Sequence, residues 1–216
     1  MKIIAFNGSP RKGWNTATLL GKALEGAASH GAETEMIHLV DFDYKGCMSC
    51  FSCKLKNGDN YGRCGIKDAL TPILKKVEET DGFILGASIY LGAVNSMTHA
   101  FLERFLYPFV TYDVNHSILF QKKIPTGCIY TMGVSEERMI QMGYDQPTRM
   151  NQMMLERIFG SSESLLVTDT YQFNDYSKYE TSGIDVEEKT RVRKEVFPEE
   201  CRKAYEMGVK IAEKVM

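Results

Sequence analysis

Short apolar runs and helical repeats take turns along this chain. Residues 2–6 form a brief continuous apolar run, the mark of a strand buried on both faces. Over residues 15–30 the period changes. Leu19, Leu20, Ala23, Leu24 and Ala27 fall on one helical face, and Gly31 follows as a C-terminal cap. Residues 33–40 read as a second strand, and 68–80 as a helix with Leu70, Ile73, Leu74 and Val77 on one side. A third strand is expected at 82–85, a helix at 95–107, a fourth strand at 123–130, a helix at 146–159 and the start of a fifth strand at 164–167. A terminal helix spans 187–216, with Pro198 as the point where it can break. Between the second strand and the second helix lies a loop, 41–65, dense in cysteine and glycine.

Strands that alternate with helices are parallel neighbours joined by right-handed crossovers, with helices on both sheet faces. The expected fold is an α/β doubly wound sheet of five parallel strands. No repeat, low-complexity stretch or linker divides the chain, so one domain over 1–216 is expected. Its 216 residues are 44% hydrophobic, enough for a full core. Such sheets bind ligands beyond the carboxyl ends of their strands, where the strand order reverses. The loops after strands one, three and four are therefore the candidates. A formal net charge of -2 speaks against nucleic acid as a partner. No apolar run approaches the ~20 residues of a membrane span, and "MKIIAFNGSP" turns polar too early for a secretory leader. A cytoplasmic location is expected, where six cysteines are not a disulfide framework.

The loop after the first strand is "GSPRKGWNT", residues 8–16. Unpaired N–H groups at a helix start favour an anion there. Ser9 and Thr16 can add hydroxyl donors, Arg11 a charged fork, and Asn15 or Thr16 can cap the helix. The dinucleotide pattern G-x-G-x-x-G is absent. Gly8 and Gly13 have P-loop spacing, but Trp14 and Asn15 stand where lysine and serine or threonine are required. What remains is a site for a terminal monophosphate, with a plain strand-to-helix turn as the alternative.

This loop resembles the G-S-P-R-x-x-x-N-T phosphate loop of the NAD(P)H-dependent FMN reductases. A second stretch agrees in the right order. "DGFILGASIYLGAVNSMTHAFLERF", residues 81–105, is similar to that family's strand, flavin loop and following helix. Ala87 and Asn95 replace hydroxyl residues, Ser88 a proline, His99 a lysine and Glu103 an aspartate. The resemblance implies a flavodoxin-like sheet of order 2-1-3-4-5 and an FMN cofactor, with NAD(P)H as co-substrate. It places the flavin ring against Ser88, Tyr90, Leu91, Gly92, Ala93 and Val94. Free backbone N–H groups would meet the ring edges there, and Tyr90 and Leu91 would form an apolar wall. Thr131 and Gly133, in "YTMGV", are expected beside the ring or ribityl chain. No protein acid or base is demanded, because flavin N5 carries the chemistry.

In "GCMSCFSCKLKNGDNYGRC", Cys47, Cys50 and Cys53 are spaced C-x2-C-x2-C, and Cys64 follows. That spacing suits a [4Fe–4S] cluster. A zinc site and free thiols are the alternatives. The pattern is similar to the cysteine motif of the iron-sulfur flavoproteins, with a longer final gap. "GRCGIKDAL" is close to a loop ending found in cluster-free relatives. Cys128 and Cys201 are expected to be small buried hydrophobes.

Two functions follow from the resemblance. One is an FMN-dependent oxidoreductase passing electrons from NAD(P)H to a small-molecule acceptor such as a quinone or free flavin. The other is an iron-sulfur flavoprotein accepting electrons from ferredoxin. A redox-sensing or binding module without turnover is a third. A homodimer or homotetramer is expected, because relatives commonly wall the flavin with a second subunit. The run "DVEEKTRVRKE" reads as a solvated helix face with Glu187 paired to Arg191, and the stretch 171–179 as a cap on the pocket from a neighbouring subunit or a plain loop.

Overall fold

The apolar runs become one sheet. The computed structural model describes residues 1–215. Five strands are parallel: β1 (Lys2–Asn7), β2 (Glu33–His38), β3 (Gly82–Tyr90), β5 (Ile124–Thr131) and β6 (Gly160–Val167). Their spatial order is β2-β1-β3-β5-β6, and the two-residue strand β4 (Ala93–Val94) folds back antiparallel on the end of β3. Counting parallel strands alone, this is the expected 2-1-3-4-5 order of a flavodoxin-like sheet.

Strand alternation sorts side chains to the two faces. Ile3 and Ala5 point to a core shared with Leu19, Leu20, Ala23, Met207 and Ile211. These come from α1 (Asn15–Ser29) and α7 (Phe197–Glu213). Ile4 and Phe6 point to the other core, with Phe83, Phe101, Phe105 and Phe159. That face is covered by α2 (Thr71–Glu79), α3 (Ser96–Leu106) and α5 (Asp145–Phe159). The aromatic rings on that face, with Phe109 and Phe120, lie 4.8–6.3 Å apart, mostly edge to face. Cys128 is fully buried in β5 as expected, and burial pushes its thiol up to about 11.

The differences from the sequence reading have local causes. β3 runs on to Tyr90, because Gly86, Ala87 and Ser88 keep pairing with β5. β6 starts at Gly160, since polar "GSSES" suits a half-exposed edge strand. α2 starts later than expected. Asp68 and Thr71 spend residues 68–70 on a turn, with the Thr71 hydroxyl accepting from the Asp68 N–H at 3.0 Å. A short helix α4 (Glu136–Gln141) was not anticipated; Ser135 caps it. The terminal helix does break near Pro198. α6 (Val186–Arg191) passes through a π-helical turn, Val192–Val196, into α7. Pro198 has no N–H for the Lys194 carbonyl, and the wider turn absorbs the gap. Among the described residues no helix is long and apolar enough to cross a membrane.

α1 and α7 touch backbone to backbone. A Cβ on Gly208 would lie 1.8 Å from the Ala23 carbonyl oxygen, and one on Gly26 2.0 Å from that of Tyr205. Gly208→Ala should therefore lower stability by about 1–3 kcal/mol, the usual cost of overpacking. Urea unfolding followed by circular dichroism measures this; an unchanged midpoint would show that the helices are not in such contact.

Candidate active site

The loop between β1 and α1 is held from three sides. The Asn7 side-chain oxygen accepts from the Ser9 N–H at 3.0 Å. The Gly8 N–H donates to the Gly86 carbonyl at 2.7 Å. The Gly8 carbonyl accepts from Asn95 Nδ2 at 2.7 Å and Thr98 Oγ1 at 3.1 Å. The Ser9 hydroxyl accepts from the Arg11 N–H and still has its own proton to donate. Thr16 Oγ1 and Thr131 Oγ1 lie 2.8 Å apart and join this loop to the end of β5.

Trp14, not Asn15 or Thr16, occupies the cap position of α1. It makes no side-chain cap bond, and the first turn has no acidic residue. The N–H groups of Asn15, Thr16 and Ala17 consequently lack a partner within the helix. A helix start usually carries a capping side chain or an acid. Here buried Asn15 and Thr16 line an enclosed cleft of about 140 Å³ instead.

The cleft gathers Ser9, Arg11, Asn15, Thr16, Ser88, Tyr90, Thr131 and Gly133. It opens past Tyr90 into a wider trough of about 710 Å³, walled by Phe173 and Tyr179, whose rings stack at 3.9 Å. Leu91, Gly92, Ala93 and Val94 are not brought into this lining. Because β3 extends to Tyr90, those residues form a tight hairpin. Leu91 and Gly92 both have positive φ, as a two-residue hairpin turn of this hand requires. Leu91 is fully exposed, and Gly92 passes under the Tyr144 ring.

Four of the five departures from the flavin-loop pattern occur as coupled pairs. Asn95 Nδ2 donates to Ser88 Oγ at 3.1 Å, while its oxygen caps α3 through the Thr98 N–H. His99 and Glu103, one helical turn apart, are 3.7 Å from each other on the surface. Each replacement is answered by the other.

Residues 170–172 close the cleft from the far side within the same chain, whereas the sequence offered 171–179 only as a cap from a neighbouring subunit or a plain loop. The Tyr171 carbonyl accepts from Trp14 Nε1 at 2.9 Å and Asn15 Nδ2 at 2.8 Å. The Gln172 carbonyl accepts from Arg11 at 2.6 Å. The lone tryptophan in a polar loop was the one available signal. The expected solvated face of "DVEEKTRVRKE" is only partly that. Lys189 is buried and its ammonium binds the Asp169 carboxylate and the Gly133 carbonyl. Arg191 pairs with Glu188 and Glu195, not with Glu187.

The cysteine loop is anchored by Arg104 of α3, which is fully buried. Its guanidinium donates to the Asp68 carboxylate, to the Lys45 and Ile66 carbonyls, and to Cys64 Sγ at 3.3 Å. Glu103 accepts from the Cys47 N–H at 2.9 Å. Thus "GRCGIKDAL" and "FLERF" form one physical unit. Cys47 and Cys50 are exposed, Cys64 is half-buried and Cys53 is buried. Hydrogen bonds from Ser52 lower the Cys50 thiol, whereas burial raises that of Cys53. Among the described residues no three His, Cys, Asp or Glu side chains converge to hold a metal ion. Cys47, Cys50, Cys53 and Cys64 are therefore not gathered into a ligand set.

The hydrogen bonds from Arg104 hold the Asp68 carboxyl below its ordinary range. The pair thus stabilises the fold above the ordinary carboxylate pKa of about 4, and that contribution is lost as pH falls below it. Asp68→Asn should flatten the acid side of the stability profile. Arg104→Met should cost about 3 kcal/mol at neutral pH by leaving Asp68 unpaired. Urea titrations between neutral pH and pH 3 check both; a parallel acid decline in Asp68→Asn would contradict the assignment.

The sequence matches the NADPH-dependent FMN reductase family over residues 1–162. An iron-sulfur flavoprotein of Methanocaldococcus jannaschii is 40% identical over 104 residues, 48% of this chain and 51% of that protein. The chain spans about half the length of the curated relatives it matches. An FMN-dependent NADH-azoreductase from Bacillus anthracis, solved in complex with FMN, has a TM-score of 0.65 at 11% identity, covering 98% of this chain and 99% of the other. An NAD(P)H:quinone oxidoreductase from Methanothermobacter marburgensis has a TM-score of 0.64 at 13% identity, covering 97% and 96%. At such identities the structural likeness is one of fold. The strand order, the loop "GSPRKGWNT" and the match over most of the sequence lead to one conclusion: the chain belongs to the NADPH-dependent FMN reductase family.

Proposed function

We propose that this protein is an FMN-dependent oxidoreductase that moves reducing equivalents from NADH or NADPH to a small acceptor such as a quinone or free flavin. One observation carries the reading. The uncapped start of α1 heads a cleft whose lining contains no carboxylate. A buried helix start without a partner is costly unless an anion completes it.

The residues fit a flavin monophosphate. The Ser9 hydroxyl, the first N–H groups of α1, Asn15 and Thr16 would hold the phosphoryl group, with Arg11 adding charge. Ser88, Tyr90, Thr131 and Gly133 would flank the rest of the molecule, and the trough beyond Tyr90 would leave its open face to the second substrate. The bound flavin supplies the hydride and electron chemistry. The chain's own part is to orient it and to exclude water from the phosphate end. Cytoplasmic work as a homodimer or homotetramer is part of the proposal. Exposed Leu91, Ile140 and Met142 would be apolar material for a second subunit to cover.

A second reading is an electron carrier with a [4Fe–4S] cluster on the loop cysteines, fed by ferredoxin. It is favoured by the name of the Methanocaldococcus jannaschii relative. Among the described residues no three of these cysteines converge, so no step is assigned to a cluster.

Anaerobically purified protein titrated with FMN should take up one flavin and oxidise NADH or NADPH with a quinone present. Ser9→Ala should weaken FMN about tenfold, the worth of one hydrogen bond to a charged group. Failure to take up FMN would end the first reading. About four irons per chain, with broad visible absorption bleached by dithionite, would establish the second.

A further inference from the structure

We infer that Arg193 is a positioning residue of the phosphate subsite, acting through Asn15. The inference rests on the reading that an FMN phosphoryl group occupies the start of α1. Arg193 lies beyond the family match, which ends at residue 162, and in a stretch whose sequence suggests only a solvated helix.

The π-helical turn brings Arg193 against the cleft. Its Nη1 donates to Asn15 Oδ1 at 3.0 Å, and its guanidinium carbon lies 4.3 Å from the Phe197 ring centroid. Among the described residues its guanidinium has no carboxylate partner. Its position is fixed by the residues before it. Lys189 is tied to Asp169 and the Gly133 carbonyl, and Thr190 Oγ1 lies 2.8 Å from Tyr171 Oη. One short segment thus touches Gly133, Tyr171 and Asn15, which come from three separate walls of the cleft.

Two effects follow. The first is orientation. The Asn15 side chain is buried, and its amide has one donor end and one acceptor end. Arg193 occupies the acceptor end, so Nδ2 faces the cleft side and the Tyr171 carbonyl. The Tyr171 carbonyl already disfavours the flipped amide, and Arg193 adds a second restraint from the acceptor end. The second is charge. Arg11 is likewise bonded to a carbonyl and not to a carboxylate. Two uncompensated guanidinium groups therefore stand at a helix start that carries no acid. That arrangement matches a dianion, and it discriminates a flavin with a phosphoryl group from one without.

The test compares FMN and riboflavin, which share the ring and ribityl chain. Dissociation constants for both are measured by flavin fluorescence on the parent protein, Arg193→Gln and Arg193→Lys, at low and high salt. Arg193→Gln should weaken FMN about tenfold and riboflavin less than twofold. Arg193→Lys should restore part of the loss, since it returns charge without the fork. The parent's preference for FMN over riboflavin should shrink with salt more steeply than that of Arg193→Gln. Equal weakening of both flavins, or no change in either, would overturn the assignment of Arg193 alone. A parent protein that binds riboflavin and FMN equally, or neither, would overturn the phosphate reading and this inference with it.

Discussion

A fully buried guanidinium cannot be left without partners, and Arg104 meets that demand by gathering the cysteine loop around itself. The same helix, α3, begins at the other region of interest. Asn95 caps it and also holds the Gly8 carbonyl of the loop after β1, helped by Thr98. At 1.5 Å per residue, the nine-residue step from Asn95 to Arg104 spans roughly 14 Å. One rigid element therefore fixes the distance between the cleft and the cysteine loop. The paired replacements, Ser88 with Asn95 and His99 with Glu103, all sit on or beside this helix.

The cleft follows a different logic. Its polar groups are satisfied among themselves at the sides, by Tyr171 and Gln172 carbonyls, and left open at the helix start. A protein optimised only for stability would put an acid or a capping hydroxyl at Trp14. The tryptophan instead braces the far wall, and the helix dipole stays available.

The sheet was legible because its signals are local. Short apolar runs in β1 and β3 mark strands covered on both faces, and the 3.6 period of α1 marks a helix on one. Seven-residue "GSPRKGW" between them was readable for the same reason. What escaped was set at long range. Nothing near Lys189 announces burial, because its partners Asp169 and Gly133 are 20 and 56 residues away. A glycine turn after the third strand was legible, but not its hairpin pairing, because the extension of β3 depends on pairing with β5 and not on its own composition. The order of the four cysteines suits a cluster, and in the fold Ser52 and Arg104 bond the Cys50 and Cys64 sulfurs while Glu103 holds the Cys47 main chain.

The attachment of that loop rests on a carboxylate and two main-chain oxygens, with sulfur as only one contact among several. Shape and thiol chemistry are consequently separable. A descendant could trade its sulfhydryls for serine or alanine and keep the same contour over α3. Selection could add or discard reactivity at this spot without refolding the protein, which makes it a natural place for lineages of one architecture to diverge.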